Sequence, residues 1–198
     1  MRRPVRLLAL GTVVAAAVAF PAVAAATVSP GTYTTSSPGS FINYANAPQG
    51  THFANGSTAP TCIVASDLSI SCGDGANADQ PYTLGGVGHT RATLNLVATY
   101  TEQVQCTNHG KQVVEAQQRT AGLPGGPQTL PSDKNGNTTV PPAALPAPPG
   151  QDSSGSGAPC PNRNWTWTVL STTLDSFDYT LTFSRFSSPF IQISATDP

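Results

Sequence analysis

Alternation of apolar and polar side chains is the feature that most constrains how this chain can fold. Over Leu94–Cys106 one series of alternate positions is largely apolar, and Asn, Thr and Gln fill most of the positions between them. The apolar series is Leu94, Leu96, Ala98, Tyr100, Val104 and Cys106. A β-strand with one buried face requires this period of two. Glu102 interrupts the series, which predicts that the strand has a β-bulge or leaves the core there.

The same period returns in the last third of the chain. Apolar residues alternate with polar ones over Trp165–Val169, Phe177–Phe183 and Ile191–Ala195. An amphipathic helical period is missing, and strong helix formers are scarce, with two Glu among 198 residues. The sequence therefore predicts an all-β fold, namely an antiparallel immunoglobulin-like β-sandwich with a long Pro/Gly/Ser-rich loop and two disulfides.

The first 26 residues have the organisation of a secretory signal peptide. Arg2, Arg3 and Arg6 precede the uncharged stretch Leu7–Phe20, and small residues follow Pro21. This order predicts export and cleavage rather than a retained membrane anchor. Removal of residues 1–26 leaves six basic residues against ten acidic ones, a net charge of −4. We therefore expect a secreted, extracellular monomer without a membrane span, for which nucleic acid and anionic membranes are poor partners.

Four cysteines in an exported chain predict two disulfides, and three pairings are possible. Cys62 and Cys72 flank two short apolar runs around a turn at Ala65-Ser66-Asp67, which predicts a hairpin closed by a Cys62–Cys72 bond. Cys106 and Cys160 are then the second pair and close a long insertion. Zinc would need closely spaced cysteine pairs with histidine nearby. The sequence lacks that pattern, and we expect neither a metal nor another cofactor.

The mature chain has the length of one domain with two regions. Residues 27–60 are rich in Ser, Thr and Pro, which predicts a partly flexible amino-terminal segment, and residues 61–198 are predicted to form the sandwich. Between about 121 and 159 lie nine prolines and a Ser/Gly run, which predict a solvated insertion loop. Short pairing segments are expected there only around Gln128–Leu130 and Thr138–Val140.

Short motifs give the chain a resemblance to a group of secreted proteins. They are, in order, Cys62…Cys72, Tyr82-x-Leu84-x-Gly86, Cys106-x-Asn108, Asn135-Gly136 and Cys160-Pro161-Asn162-x-x-Trp165. Together they resemble small, secreted, disulfide-bonded actinobacterial proteins of unknown function. The resemblance implies an exported β protein and supplies no catalytic residues.

Carboxylates on or near strands are the candidates for catalysis. A polysaccharide hydrolase needs two carboxylates across one cleft, and the candidate pair is Glu102 with Glu115 or Asp175. A carboxylate at a strand bulge, paired with an arginine, is the structural alternative for Glu102, and we favour it. Asp175 and Asp178 are predicted to bound a turn and face water.

Two further patterns suggest binding. Trp165 and Trp167 share one strand face, so they either present a stacking surface for sugar rings or fill the core, and the continuation to Val169 favours the core. Oxygen-rich segments that resemble calcium loops occur at Asp74-x-x-Asn77-x-Asp79 and at Asp133-x-Asn135-x-Asn137. Turn chemistry explains both segments without a metal ion.

No motif in the sequence pairs a nucleophile with a base, which favours a protein that is not an enzyme. The hypothesis is a secreted, non-catalytic, extracellular or envelope-associated binding or structural protein. Its partner would be an unidentified extracellular protein or a cell-wall component, with the insertion loop as the contact surface. The alternatives are the polysaccharide hydrolase and a carrier of a small apolar ligand in a pocket between the sheets.

Overall fold

The computed structural model describes residues 27–156 and 159–196, and for 116–121 it describes the backbone alone. Residues 1–26, which contain the predicted signal peptide, lie outside the described residues. A short 3-10 helix occupies Tyr44–Asn46. The strands are β1 (Gly31–Thr34), β2 (Phe41–Ile42), β3 (His52–Ala54), β4 (Thr61–Val64), β5 (Ile70–Gly73), β6 (Tyr82–Gly85), β7 (Ala92–Asn108), β8 (Val113–Gly122), β9 (Gln128–Leu130), β10 (Thr138–Val140), β11 (Ala143–Leu145), β12 (Ser154–Ser156), β13 (Trp165–Phe183) and β14 (Ile191–Thr196).

The strands form three antiparallel sheets. The largest has the order β2-β14-β13-β7-β8, with β9 paired to β7 and β12 paired to β13. A second sheet has the order β1-β4-β5-β11, and a third has the order β10-β6-β3. The predicted all-β class and the two predicted disulfides are thus confirmed. No helix among the described residues is long and apolar enough to cross a membrane.

The main core takes side chains from all three sheets. On β7 the buried residues are the predicted alternate ones, and on β13 they include Phe177, Tyr179, Leu181 and Phe183. The Cys62–Cys72 disulfide, whose two cysteines are fully buried, joins β4 to β5 within this core. The alternation was informative because both long strands have one face in the core and one face outside it.

The Pro-rich region is built into the sheets rather than displayed as a solvated loop, which corrects the expectation for residues 121–159, although the two pairing segments expected there are present as β9 and β10. Four of its segments are strands: β9 pairs with β7, β10 with β6, β11 with β5 and β12 with β13. The apolar residues Val140, Ala143 and Leu145 are buried, which fixes the short strands in place. The amino-terminal segment is likewise ordered, since β1, β2 and β3 each belong to a sheet.

The pairing of β7 with β13 continues beyond the main core. It runs from Ala92 opposite Phe183 to Asn108 opposite Trp165. Past the main core it holds a second, smaller cluster of buried residues, namely Val104, Cys106, Cys160 and Val169. We call residues 101–117, 150–156 and 159–173 the arm.

The arm begins where the sheet is irregular. The register of β7 against β8 shifts between Tyr100 and Gln103, so the bulge predicted at Glu102 is present. The register of β13 against β7 shifts between Val169 and Ser171 and again between Leu174 and Ser176. Because bulges bend a strand and increase its twist, they separate the arm from the main core.

Candidate functional site

The Cys106–Cys160 disulfide lies in the arm, with Cys106 two residues before the end of β7. Its Cα atoms are 5.7 Å apart, and Cys106 is fully buried. Cys106 pairs in register with Trp167, and Asn108 pairs with Trp165. Residues directly opposite each other on neighbouring strands share a face. The two tryptophans therefore lie on the face of the sheet that carries the disulfide.

Both tryptophans are half-buried and pack against this second cluster. Gly155 on β12 pairs with Trp167, and a Cβ atom added to it would lie 2.5 Å from Cζ2 of the indole. The ring of Trp167 therefore lies directly over the Gly155 backbone. The indoles are outside the main core, and each keeps part of its surface accessible. They are therefore neither fully exposed stacking surfaces nor fully buried core residues, which were the two alternatives from the sequence.

Three apolar side chains of the arm are exposed. Val113 is 52% exposed, Val114 is 42% exposed and Leu170 is 41% exposed. Val114 pairs with Cys106 and so shares the face of Trp167. The end of the arm is a polar turn, held by hydrogen bonds that the Asn108 side-chain amide donates to Gln112 (2.8 Å) and accepts from the Gln112 backbone (2.9 Å). The arm thus combines aromatic, aliphatic and amide groups on one rigid element.

The structure does not bring the predicted acid and base together. Glu102 lies on the same side of the sheet as Tyr100 and Val104, which are buried residues of β7, and it pairs with Thr172. Asp175 instead accepts a hydrogen bond from the Thr101 hydroxyl at 2.8 Å, on the opposite side of the sheet.

Glu115 pairs with Gln105, on the same side of the sheet as Thr101. Gln105 is four residues along β7 from Thr101, a separation of about 13 Å. Glu102 therefore shares no cleft with Asp175 or with Glu115, and Glu115 lies well along the arm from Asp175.

Backbone amides and hydroxyl groups donate hydrogen bonds to the carboxylates of the calcium-like segments. Asp74 accepts hydrogen bonds from the backbone amides of Thr58 and Ala76, both at 2.9 Å. Asp79 accepts one from the Ser71 hydroxyl. Asp133 accepts two at 2.8 Å, from the backbone amides of Asn135 and Asn137. The bonds from Ala76 to Asp74 and from Asn135 to Asp133 are those of Asx turns. The described residues hold no cluster of three or more His, Cys, Asp or Glu that could bind a metal ion.

Asp178 is placed differently from the prediction. It lies in the middle of β13, opposite Val97 on β7 and Ser194 on β14, and so does not bound a turn. Its Oδ1 atom is buried and has no hydrogen-bond partner. Desolvation by burial raises the pKa of the carboxyl group, and a hydrogen bond from the Gln192 side chain lowers it by less. Sequence analysis missed this because Asp178 occupies a polar position of a regular alternation, which normally faces water.

Comparison of the chain with protein-family models, with curated proteins and with solved structures found no match.

Proposed function

We propose that this protein is a secreted, non-catalytic binding protein and that the arm is its contact surface. The partner would be a cell-wall or other extracellular polymer that presents sugar rings. The observation that carries the proposal is the position of Trp165 and Trp167, which are half-buried on one face of the arm and outside the main core. Export accords with the two disulfides and with the resemblance to small secreted actinobacterial proteins.

The arm has the physical properties of a preformed recognition surface. The Cys106–Cys160 bond and the pairing of four strands hold its backbone, so little ordering entropy is lost on binding. Tryptophan contributes large contact areas and stacks on flat partners, and it is enriched among residues that dominate binding energy. Stacked antiparallel sheets that carry recognition elements at one end are the design of immunoglobulin-like sandwiches, and we assign this chain to that broad design.

The arm is a better candidate than the insertion as a whole. Deletion of residues 121–159 would remove β9, β10, β11 and β12 and so would disturb all three sheets. The hydrolase alternative has less support, because Glu102 and Asp175 lie on opposite sides of the sheet. A binding test that alters single side chains of the arm is therefore more informative than either loop deletion or an activity screen.

The test is co-sedimentation of the purified mature protein with insoluble peptidoglycan, chitin and cellulose. We expect the wild-type protein to pellet with at least one polymer and Trp165→Ala to remain in the supernatant. Trp165 is the better target because Trp167 also covers Gly155. Tyr44→Ala is the matched control, since Tyr44 is an exposed aromatic residue, 53% accessible, outside the arm. Equal retention of wild type and Trp165→Ala, or retention by none of the polymers, would contradict the proposal.

A further inference from the structure

A groove crosses the outer face of the large sheet, away from the tryptophan face of the arm. Its volume is about 380 Å³, and its lining includes Val97, Thr99, Ser176, Asp178 and Ser194. A second hollow of about 410 Å³ adjoins it. The two hollows share Ser194 and Thr196, so together they form one groove along the carboxyl-terminal strand β14.

The chemistry of the groove is acidic and rich in hydroxyl groups. Asp178 is its only titratable side chain among the residues of the first hollow, and hydroxyl groups of Ser and Thr surround it. Asp178 faces Val97 on β7 and Ser194 on β14, neither of which carries a charge. The carboxylate is thus partly desolvated and has no cation among the groove residues to compensate it.

We propose that the groove binds a small molecule that carries a protonated primary amine, with the ammonium group on Asp178. An ammonium group donates three hydrogen bonds. One would go to the carboxylate of Asp178 where it lines the groove, and the others would reach hydroxyl groups such as those of Thr99, Ser176 and Ser194. The positive charge would offset the partly buried negative charge of the carboxylate.

Asp178 reaches the groove as one of its lining residues, although its Oδ1 atom is itself buried. A metal ion fits less well, because calcium requires six to eight oxygen ligands and the groove offers one carboxylate. A neutral sugar would supply a donor without offsetting the charge.

The test is a two-dimensional NMR titration of the isotope-labelled mature protein with glucosamine and with glucose, which differ in the amine. We expect glucosamine to shift the amide resonances of Val97, Asp178 and Ser194, and glucose to leave them unchanged at the same concentration. Asp178→Asn should weaken glucosamine binding about tenfold or more, because the charge-assisted hydrogen bond is lost. Asp175→Asn removes a charge from the same strand outside the groove residues and should bind as wild type does.

Three results would overturn the proposal: equal affinity of wild type and Asp178→Asn for glucosamine, equal shifts with glucose, or no shift with glucosamine at millimolar concentration. The groove residues are separate from Trp165 and Trp167. Polymer binding by the arm and amine binding by the groove can therefore fail independently of each other.

Discussion

The hydroxyl groups of Tyr82 and Tyr179 meet at 2.8 Å inside the main core, where both side chains are fully buried. Tyr82 belongs to β6 of the three-stranded sheet, and Tyr179 belongs to β13 of the large sheet. The bond therefore joins two sheets whose other core contacts are largely apolar. Burial raises the pKa of both phenols, so both stay protonated and one donates to the other.

This pairing predicts a non-additive mutational cycle. Tyr82→Phe or Tyr179→Phe alone leaves one buried hydroxyl group without a partner, which should lower the free energy of unfolding by about 1–3 kcal/mol. The double variant leaves no hydroxyl group unpaired and keeps the ring shapes, so its loss should be clearly smaller than the sum of the two. Urea unfolding of the four proteins measures the cycle. Additive losses would mean that the two hydroxyl groups do not depend on each other.

The two disulfides should fail in different ways when they are removed. Cys106 and Cys160 are separated by 54 residues in sequence, and closing a loop of that length stabilises a fold by about 4 kcal/mol in the chain-entropy model. Because this bond lies in the cluster of the arm, Cys106→Ala/Cys160→Ala should loosen the arm first. Limited proteolysis should then cut near residues 109–112 while β4 to β6 remain protected.

Cys62→Ala/Cys72→Ala provides the comparison, since both of its cysteines are fully buried in the main core. That variant should lose stability throughout the chain and show no preferential cleavage in the arm. Thermal unfolding followed by circular dichroism, together with mapping of the cleavage sites, separates the two outcomes. If the arm of Cys106→Ala/Cys160→Ala resists protease as the wild type does, the disulfide is not what holds it.

The alternation in the sequence predicts the long strands because β7 and β13 each have one face in the core. It could not predict β11, which lies between Pro142 and Pro146. A proline in the sequence normally predicts the end of a strand, because it lacks a backbone N–H donor. However, β11 is the edge strand of its sheet, where a missing donor on the outer side is tolerated. The sequence predicts that the segments of β9 and β10 pair, but not that their partners are β7 and β6, because the partner of a short edge strand is a distant segment and that information is not local.

The candidate site was predictable to the same limited extent. The period of two places Trp165 and Trp167 on one face, but it does not say what their rings pack against. The ring of Trp167 lies over Gly155 of β12, and hydrogen bonds between Asp152, Ser153 and Val169 hold the chain before β12 beside β13. Likewise, the alternation gives Asp178 a polar position, whereas its burial depends on residues of β7 and β14 that are remote in sequence.

Asp178 and Asp74 should give stability opposite dependences on pH. Desolvation raises the pKa of Asp178 in the folded protein above its ordinary value of 3.8. The ionised carboxylate therefore destabilises the fold at pH values above 3.8. Asp178→Asn should therefore raise the free energy of unfolding at pH 7. The gain should disappear as the pH falls below about 3.8, where the carboxyl group is protonated in both states.

For Asp74, desolvation favours a higher pKa, but hydrogen bonds from Ala76 and Thr58 outweigh it and leave the pKa lowered. Its ionised form stabilises the fold above the ordinary pKa, and that contribution is lost as the pH falls through the folded-state value. Asp74→Asn should therefore lower the free energy of unfolding at pH 7. Denaturant titrations between pH 3 and pH 7 test both variants, and parallel curves for the two would contradict the assignment.

The cover that Trp167 forms over Gly155 can be tested with fluorescence, because the chain has two tryptophans. In a Trp165→Phe background Trp167 is the only tryptophan. Adding Gly155→Ala would place a Cβ atom 2.5 Å from the indole, so the ring must move outwards. We expect its emission to shift to longer wavelength and to become easier to quench with iodide.

Gly150→Ala in the same background is the control, since a Cβ atom at Gly150 meets nothing within 4 Å. If Gly155→Ala leaves the emission and quenching as they are in the control, the indole does not lie on β12 in solution, and the arm must have another packing.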